Sequence, residues 1–272
     1  MRNAIPTTSA GETSRDNASR EASWRAFLVR GGRMVKYKGI VGSVAPHLAS
    51  AGLVALGVVA FSGSVANAGT CSTSDNTNFE CSGAAGAPGT DTPIVINNPG
   101  ATAVTTDPGF GIDASGTAIT LVGSGTGDVS FTDTNQSTII GGGNAGIVVD
   151  GSNAGSVTIT SNGTITGQGG AGIYYTGTTN QTGLTYDVND VNGFGYGIRI
   201  DNYYGSGAVN IKANNVQSDN YDGIYVVGGS NSSDLTIEVN DVHGGNEGIH
   251  AYHFGSGTFS ITANDVTSGT NF

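Results

Sequence analysis

Positive charge is almost absent from most of this 272-residue chain. Residues 69–272 contain two Lys or Arg, Arg199 and Lys212, against 18 Asp or Glu, so their net charge is −16. A surface with so few cations cannot neutralise a phosphate backbone or bind the anionic face of a membrane. The composition therefore excludes nucleic acid as a partner of this region. Residues 1–68 differ, because they hold eight Lys or Arg and three Asp or Glu.

Cysteine is also scarce, since Cys71 and Cys81 are the only two in the chain. They are separated by the nine residues STSDNTNFE and have no histidine nearby, so they lack the ligand spacing of a zinc site. In an oxidising compartment we expect them to form a disulfide that closes this short loop.

Long apolar runs and helical spacing are missing as well. The most apolar run, Leu53–Phe61, is short for a membrane span of about 20 residues. Basic residues precede it and Ala66-Asn67-Ala68 follows it, which is the order of a secretory signal peptide. We therefore predict a leader over 34–68 that is cleaved between Ala68 and Gly69.

Residues 1–33 have no such pattern. Because a standard leader is complete from Met34, residues 1–33 either lie upstream of the true start codon or form an extension of the leader that slows export.

Glycine, in contrast, is abundant, and it recurs at regular spacing. Gly-Ile pairs begin at 146, 172, 197, 223 and 248, in steps of 25 or 26, with a looser forerunner at Gly111-Ile112. A second motif, NDV or a close variant, begins at 189, 214, 240 and 264. Two motifs with the same period indicate that one repeat is one structural unit.

Within each unit, apolar residues alternate with polar ones, which predicts strands rather than helices. A unit of about 25 residues suffices for three short strands and their turns. The sequence therefore predicts an all-β fold, a right-handed parallel β-helix over 111–272, preceded by an N-terminal segment, 69–110, that contains the disulfide loop and the start of the helix. Residues at equivalent positions of successive units should stack on one another. The expected interior ladder is Ile159, Tyr186, Ile211, Ile237 and Ile261, and the expected corner ladder is Asn189, Asn214, Asn240 and Asn264.

The Gly-Ile dipeptide has an architectural explanation. Glycine before an inward isoleucine permits a tight corner where a β-carbon would clash. The repeat therefore predicts a stiff rod, and function must be sought on its surface.

A leader followed by Gly/Asn/Thr-rich coils resembles the N-terminal passenger region of autotransporters, the type V secreted surface adhesins of Gram-negative bacteria. The resemblance covers residues 34–272. It implies export through the periplasm, and display at the cell surface or release, of a right-handed β-helical passenger. It also implies a C-terminal translocator barrel, which the 272 residues do not contain. Because the next Gly-Ile pair would begin at 273 or 274, we expect the chain to be an N-terminal fragment, truncated at its C-terminus, with further coils and then the barrel downstream.

Some β-helical proteins cleave acidic polysaccharides with clustered aspartates or with a calcium ion and a basic residue. The best cluster is Arg199, Asp201, Asp219 and Asp222. Arg199 and Asp201 lie two residues apart on the outward face of one strand, where a surface ion pair of little importance to stability is the simpler expectation. We therefore predict no catalytic residue.

Metal and cofactor sites are not predicted either. Aspartates recur near turns, but they do not match a calcium-binding repeat and are typical of turn caps. They are Asp150, Asp187, Asp190, Asp241 and Asp265. His250 and His253 differ in strand parity, so we expect two solvated histidines rather than a ligand pair.

Tyrosines are more frequent on the outward positions than a bare rod requires. Tyrosine on a stiff surface can stack on sugars or anchor protein contacts, although aromatic residues also favour strands in general. The candidate binding residues are Tyr174, Tyr203, Tyr204, Tyr225 and Tyr252. We predict a non-enzymatic adhesive passenger whose partner is a host or matrix protein or a glycan. The alternatives are a polysaccharide-active enzyme similar to pectate lyase and a purely structural stalk.

Overall fold

The computed structural model describes residues 69–152, 154–177 and 182–269, together with the backbone of two strands nearer the N-terminus. The chain divides into two units, Met1–Ala60 and Phe61–Phe272. In the first unit, strands β1 (Phe27–Arg30) and β2 (Arg33–Lys36) pair in antiparallel register. The rest of the predicted leader and its upstream segment, including Ala68, lies outside the described residues.

The second unit is a parallel β-solenoid of about seven turns, with about 26 residues in each coil. Its described residues contain no helix, so the all-β prediction is confirmed. The right-handed sense of the solenoid remains a prediction. One sheet contains seven strands, one from each coil. They are β5 (Ile94–Asn98), β8 (Ile119–Gly123), β11 (Ile147–Asp150), β13 (Ile173–Thr176), β15 (Ile198–Asn202), β17 (Ile224–Gly228) and β19 (Ile249–His253).

The other sheet contains eleven strands, and the later ones are long and bent. They are β3 (Thr70–Thr73), β4 (Asn78–Ser82), β6 (Thr102–Thr106), β7 (Gly111–Ala114), β9 (Val129–Asp133), β10 (Thr138–Gly141), β12 (Ser156–Gly167), β14 (Gly183–Gly193), β16 (Ala208–Ser218), β18 (Leu235–Gly244) and β20 (Phe259–Ser268). In β12 the pairing with β14 skips from Ser161 to Thr164 while β14 advances only from Val188 to Asp190, so β12 contains one extra residue at this corner.

The core consists of columns of identical or similar side chains, one from each coil. The predicted ladder from Ile159 to Ile261 is confirmed by the strand registers, and Phe131 extends it toward the N-terminus. Its members are buried as far as Ile237, whereas Ile261 is 45% exposed because β20 is an edge strand. Each coil therefore buries its apolar face against its neighbours.

The Gly-Ile residues form a second column, and the structure explains the glycine by lack of space. A β-carbon on Gly172 would lie 2.5 Å from Cγ1 of Val191, and one on Gly223 would lie 2.5 Å from Cγ1 of Val242. Neither glycine has a positive φ. Close approach, rather than left-handed backbone, therefore requires glycine here.

The predicted forerunner at Gly111-Ile112 is wrong. Ile112 pairs with Ile139 in the other sheet, and the coils before Ile147 contribute Ile119 and Ile94 to the Gly-Ile column. Ile94 follows Pro93 and Ile119 follows Ala118, so the first two members of the column are not preceded by glycine.

The corner asparagines form only part of the predicted ladder. Asn214 donates to Asn189 across 3.1 Å, but Asn240 donates to the neighbouring Asp241 within its own strand. A second polar column runs beside the first, in which Asn215 donates to Asp190 across 2.6 Å. Both columns face outward because β14, β16 and β18 each place two consecutive residues on the outer side of this corner.

The N-terminal end of the solenoid carries an antiparallel hairpin. Strands β3 and β4 pair with Cys71 opposite Cys81, and these cysteines form a disulfide, as the sequence predicted. Asp75 accepts backbone hydrogen bonds from Thr77 and Asn78 in the hairpin loop. Parallel pairing begins with β4 and β6, within the segment 69–110.

Among the described residues there is no helix of the length and hydropathy that a membrane crossing requires.

Candidate binding surface

An outward column on the seven-stranded sheet joins four coils. Tyr174, Arg199, Tyr225 and His250 occupy equivalent positions on β13, β15, β17 and β19. Adjacent strands lie about 4.8 Å apart, so these side chains are direct neighbours. The regular repeat therefore places four large side chains in one row.

Arg199 holds the middle of this row together. Its guanidinium carbon lies 5.2 Å from the ring centroid of Tyr174, 5.1 Å from that of Tyr196 and 5.8 Å from that of Tyr225. Tyr196 stands in the turn before β15 and stacks on Tyr221 of the next turn, with centroids 5.1 Å apart. A cation among several aromatic rings stabilises their arrangement.

The row continues to the last described coil. Tyr225 contacts His250 at a centroid distance of 5.4 Å, and His250 contacts Tyr252 at 4.7 Å. Tyr252 stacks on Phe254 with centroids 5.9 Å apart. We call this continuous surface the aromatic face. Its members are Tyr174, Tyr196, Arg199, Tyr221, Tyr225, His250, Tyr252 and Phe254.

A hydrogen-bonded ion pair anchors one edge of the aromatic face. Arg199 lies 2.9 Å from Oδ2 of Asp201, and the Tyr174 hydroxyl donates to the same oxygen across 3.1 Å. The Asp201 side chain is 9% exposed, so this pair is largely buried on the carboxylate side. Burial, together with the negative charge of Asp201, raises the pKa of Tyr174. The hydroxyl therefore stays protonated and keeps donating to Asp201.

Four of the five predicted binding tyrosines belong to or contact the aromatic face. Tyr174, Tyr225 and Tyr252 are members, and the hydroxyl of Tyr203 hydrogen-bonds that of Tyr225. Burial and this hydrogen bond raise the pKa of Tyr225 to about 12. Tyr204 is 61% exposed and makes no ring contact with another described residue.

The cluster of Arg199, Asp201, Asp219 and Asp222, for which we predicted no catalytic role, is divided among separate contacts. Asp201 pairs with Arg199, whereas Asp222 accepts hydrogen bonds from Asn246 and from the Glu247 N–H. Asp219 instead lines a groove on another part of the surface.

That polar groove runs along the outward corner of the bent strands. A first section of about 510 Å³ is lined by the acidic corner column and by the next outward column. Its lining includes Asp190, Asn215, Asp241, Asp265, His243 and Thr267. Two of the recurrent aspartates cap their own corner, because Asp190 accepts from Asn189 and Asp241 accepts from Asn240. Asp187 pairs with Lys212 at 3.5 Å.

Sequence reasoning missed Tyr196 and Phe254 as members of the aromatic face. A signal for Tyr196 was present, because it precedes Tyr221 by 25 residues, one repeat. The parity of the two histidines was right, but His250 is not simply solvated. It lies within 3.4 Å of two carboxylates.

The comparisons with known proteins add no relative: no family model matches the chain, and no curated protein or solved structure is significantly similar to it.

Proposed function

We propose that this chain is a passenger segment of an exported bacterial surface protein, and that it binds its ligand through the aromatic face. The proposed route leads through the periplasm to the cell surface or the medium, with a translocator barrel as the partner in export. The leader-like pattern of residues 34–68 and the β-solenoid that follows support this route.

The observation that carries the binding proposal is the continuous series of cation–π and ring contacts that runs from Tyr174, through Arg199, to Phe254. Several of these rings remain open to solvent, with Tyr221 54% exposed, Tyr252 42% and Phe254 63%. Large, rigid aromatic side chains supply contact area at low entropic cost, because their positions are already fixed by their neighbours. A bare stalk has no need of such a surface.

The chemistry of the aromatic face suits a ligand with apolar or ring-shaped faces and hydroxyl groups. Tyrosine rings stack on flat apolar surfaces and their hydroxyls exchange hydrogen bonds. Asp201, Asp222 and Glu247 border the face and add acceptors. A host glycan, or a matrix protein with exposed aromatic or cationic groups, fits these features.

The proposal is tested by binding of the purified full chain to glycan arrays and to immobilised matrix proteins. Tyr221→Ala and Tyr252→Ala should each abolish or strongly weaken binding, because both rings are exposed members of the face. Phe194→Ala is the matched control, since Phe194 is 52% exposed but lines the polar groove. Its binding should be unchanged, and thermal melts should show that all three variants fold.

Two results would replace the proposal with one of its alternatives. Turnover of a polysaccharide that is lost in Asp201→Asn would indicate an enzyme. Equal binding by the wild type, Tyr221→Ala and Tyr252→Ala, or no binding by any of them, would favour a structural stalk.

A further inference from the structure

Three side chains with metal-binding atoms converge beside the aromatic face. The Nδ1 atom of His250 lies 3.4 Å from Oδ2 of Asp222 and 3.2 Å from Oε2 of Glu247. One ligand atom from each residue lies within 4.8 Å of the other two. This is the only such group of three or more His, Cys, Asp or Glu among the residues that the structure describes.

The repeat itself creates this convergence. Asp222 directly precedes Gly223 and Glu247 directly precedes Gly248, so the two acids occupy the same position in adjacent coils. Stacking places equivalent residues of adjacent coils side by side. His250 follows Gly248 by two residues and faces outward on β19, where its ring reaches both acids.

Asp222 is held in a ligand-like orientation. Its side chain is 6% exposed, and its Oδ1 atom accepts from Asn246 across 3.1 Å and from the Glu247 N–H across 3.3 Å. Its Oδ2 atom receives no hydrogen bond from any described residue and points at His250. Metal-binding carboxylates are typically fixed through one oxygen by outer hydrogen bonds while the other oxygen binds the ion.

Neither acid has a Lys or Arg partner among the described residues. Within residues 69–269, Arg199 and Lys212 are the only Lys or Arg, and they pair with Asp201 and Asp187. A buried carboxylate beside a second carboxylate is costly unless a cation compensates it. A divalent ion would neutralise both and could use the lone pair of a neutral His250.

We propose that Asp222, Glu247 and His250 bind one divalent metal ion of the zinc class. A mixed set of one imidazole and two carboxylates suits zinc and its transition-metal neighbours better than calcium, which prefers six to eight oxygens. A tetrahedral zinc ion with ligands at about 2.0–2.1 Å separates its ligand atoms by about 3.3 Å. The distances of 3.4 and 3.2 Å from His250 match that separation. Three protein ligands leave one position for water or for an oxygen of a bound ligand.

The test is a zinc titration of the chelator-treated full chain by calorimetry, paired with thermal melts. The wild type should bind one zinc per chain and melt at a higher temperature with zinc. Glu247→Gln and His250→Ala should bind zinc at least about tenfold more weakly and lose the thermal shift. Glu247 is 52% exposed, so Glu247→Gln should fold even if a change at buried Asp222 does not.

His243→Ala is the matched control, because His243 is an exposed histidine that lies outside the cluster and contacts Thr267. It should bind zinc as tightly as the wild type. The proposal is overturned if the wild type shows no saturable binding up to millimolar zinc. It is also overturned if Glu247→Gln and His250→Ala bind as well as the wild type, or if calcium is preferred to zinc at these residues. The aromatic face can bind a ligand without the metal, so this outcome does not depend on the proposed function.

Discussion

Asp133 is a carboxylate with no exposed surface, and it joins three coils. Its two oxygens accept from the hydroxyls of Thr106 and Ser137 at 2.8 Å and of Ser161 at 3.0 Å, and from the backbone N–H of Asn135 and Ser137. Burial by itself would raise its pKa, but these hydrogen bonds outweigh burial and leave the pKa below its usual value. The ionised form is therefore part of the fold.

We predict that Asp133→Asn lowers the free energy of unfolding by about 2–3 kcal/mol at pH 7, because an amide cannot accept all five hydrogen bonds. A folded pKa below the unfolded value means that the stabilisation is complete above about pH 4 and is lost as the pH falls through the folded pKa. Urea unfolding at pH 7 and pH 3 should therefore show the gap between variant and wild type narrowing at the lower pH.

The control is Asp187→Asn. Asp187 forms an exposed ion pair with Lys212, in which the side chains are 53% and 66% exposed, so its loss should cost under about 1 kcal/mol. If Asp133→Asn were as mild as Asp187→Asn, the assigned hydrogen bonds would be wrong.

The burial around Arg199 and Asp201 could not be predicted from the sequence. Strand parity correctly placed Arg199 and Asp201 on the outward face, and they do form an ion pair. Parity gives the direction of a side chain but not what covers it. Asp201 and Val227 both face outward, yet their exposures are 7% and 1%. Removing Arg199 would leave a buried carboxylate without its cation. We therefore expect the loss of Arg199 to destabilise the protein, contrary to the expectation from the sequence.

At the scale of the strand and its turn, the two repeated motifs pack against each other. The valine of each NDV motif packs against the glycine of a Gly-Ile pair in an adjacent coil, as Val242 does with Gly223. The shared period of the motifs could be read from the sequence, but the contact could not, because it joins different coils. The same limit explains the error at Gly111-Ile112, where the dipeptide occurs outside this packing.

We predict that Gly223→Ala lowers the free energy of unfolding by about 1–3 kcal/mol through overpacking. The new methyl group would meet Cγ1 of Val242 at 2.5 Å and the Gly248 carbonyl at 2.7 Å. In a double-mutant cycle measured by urea unfolding, Val242→Ala should relieve part of this cost, so the double variant should lose less than the sum of the single losses.

Gly116→Ala is the control, because a β-carbon there meets no atom within 4 Å and Gly116 has no positive φ. Its stability should stay within about 0.5 kcal/mol of the wild type. Strict additivity of Gly223→Ala and Val242→Ala would contradict the packing explanation.

At the scale of the whole solenoid, function follows from stacking. Once the period is known, residues 25 or 26 apart are neighbours, which is how the aromatic row and the acid pair of Asp222 and Glu247 arise. The sequence could therefore indicate which positions meet. It could not indicate that Tyr196 and Tyr221 turn toward the row, or that His250 reaches two carboxylates, because those contacts depend on side-chain rotamers in the turns.

Stacking also predicts that stability is graded along the axis, since each coil contacts only its neighbours. Ile237 and Ile261 occupy the same column in adjacent coils, but Ile237 is fully buried and Ile261 is 45% exposed. Ile237→Ala should therefore lower the free energy of unfolding by about 2–4 kcal/mol, as a buried large-to-small change does, and Ile261→Ala by under about 1 kcal/mol. Urea unfolding of the full chain at several protein concentrations measures both. Equal losses that grow with concentration would mean that another molecule covers Ile261 in solution, and equal losses independent of concentration would contradict the edge position of β20.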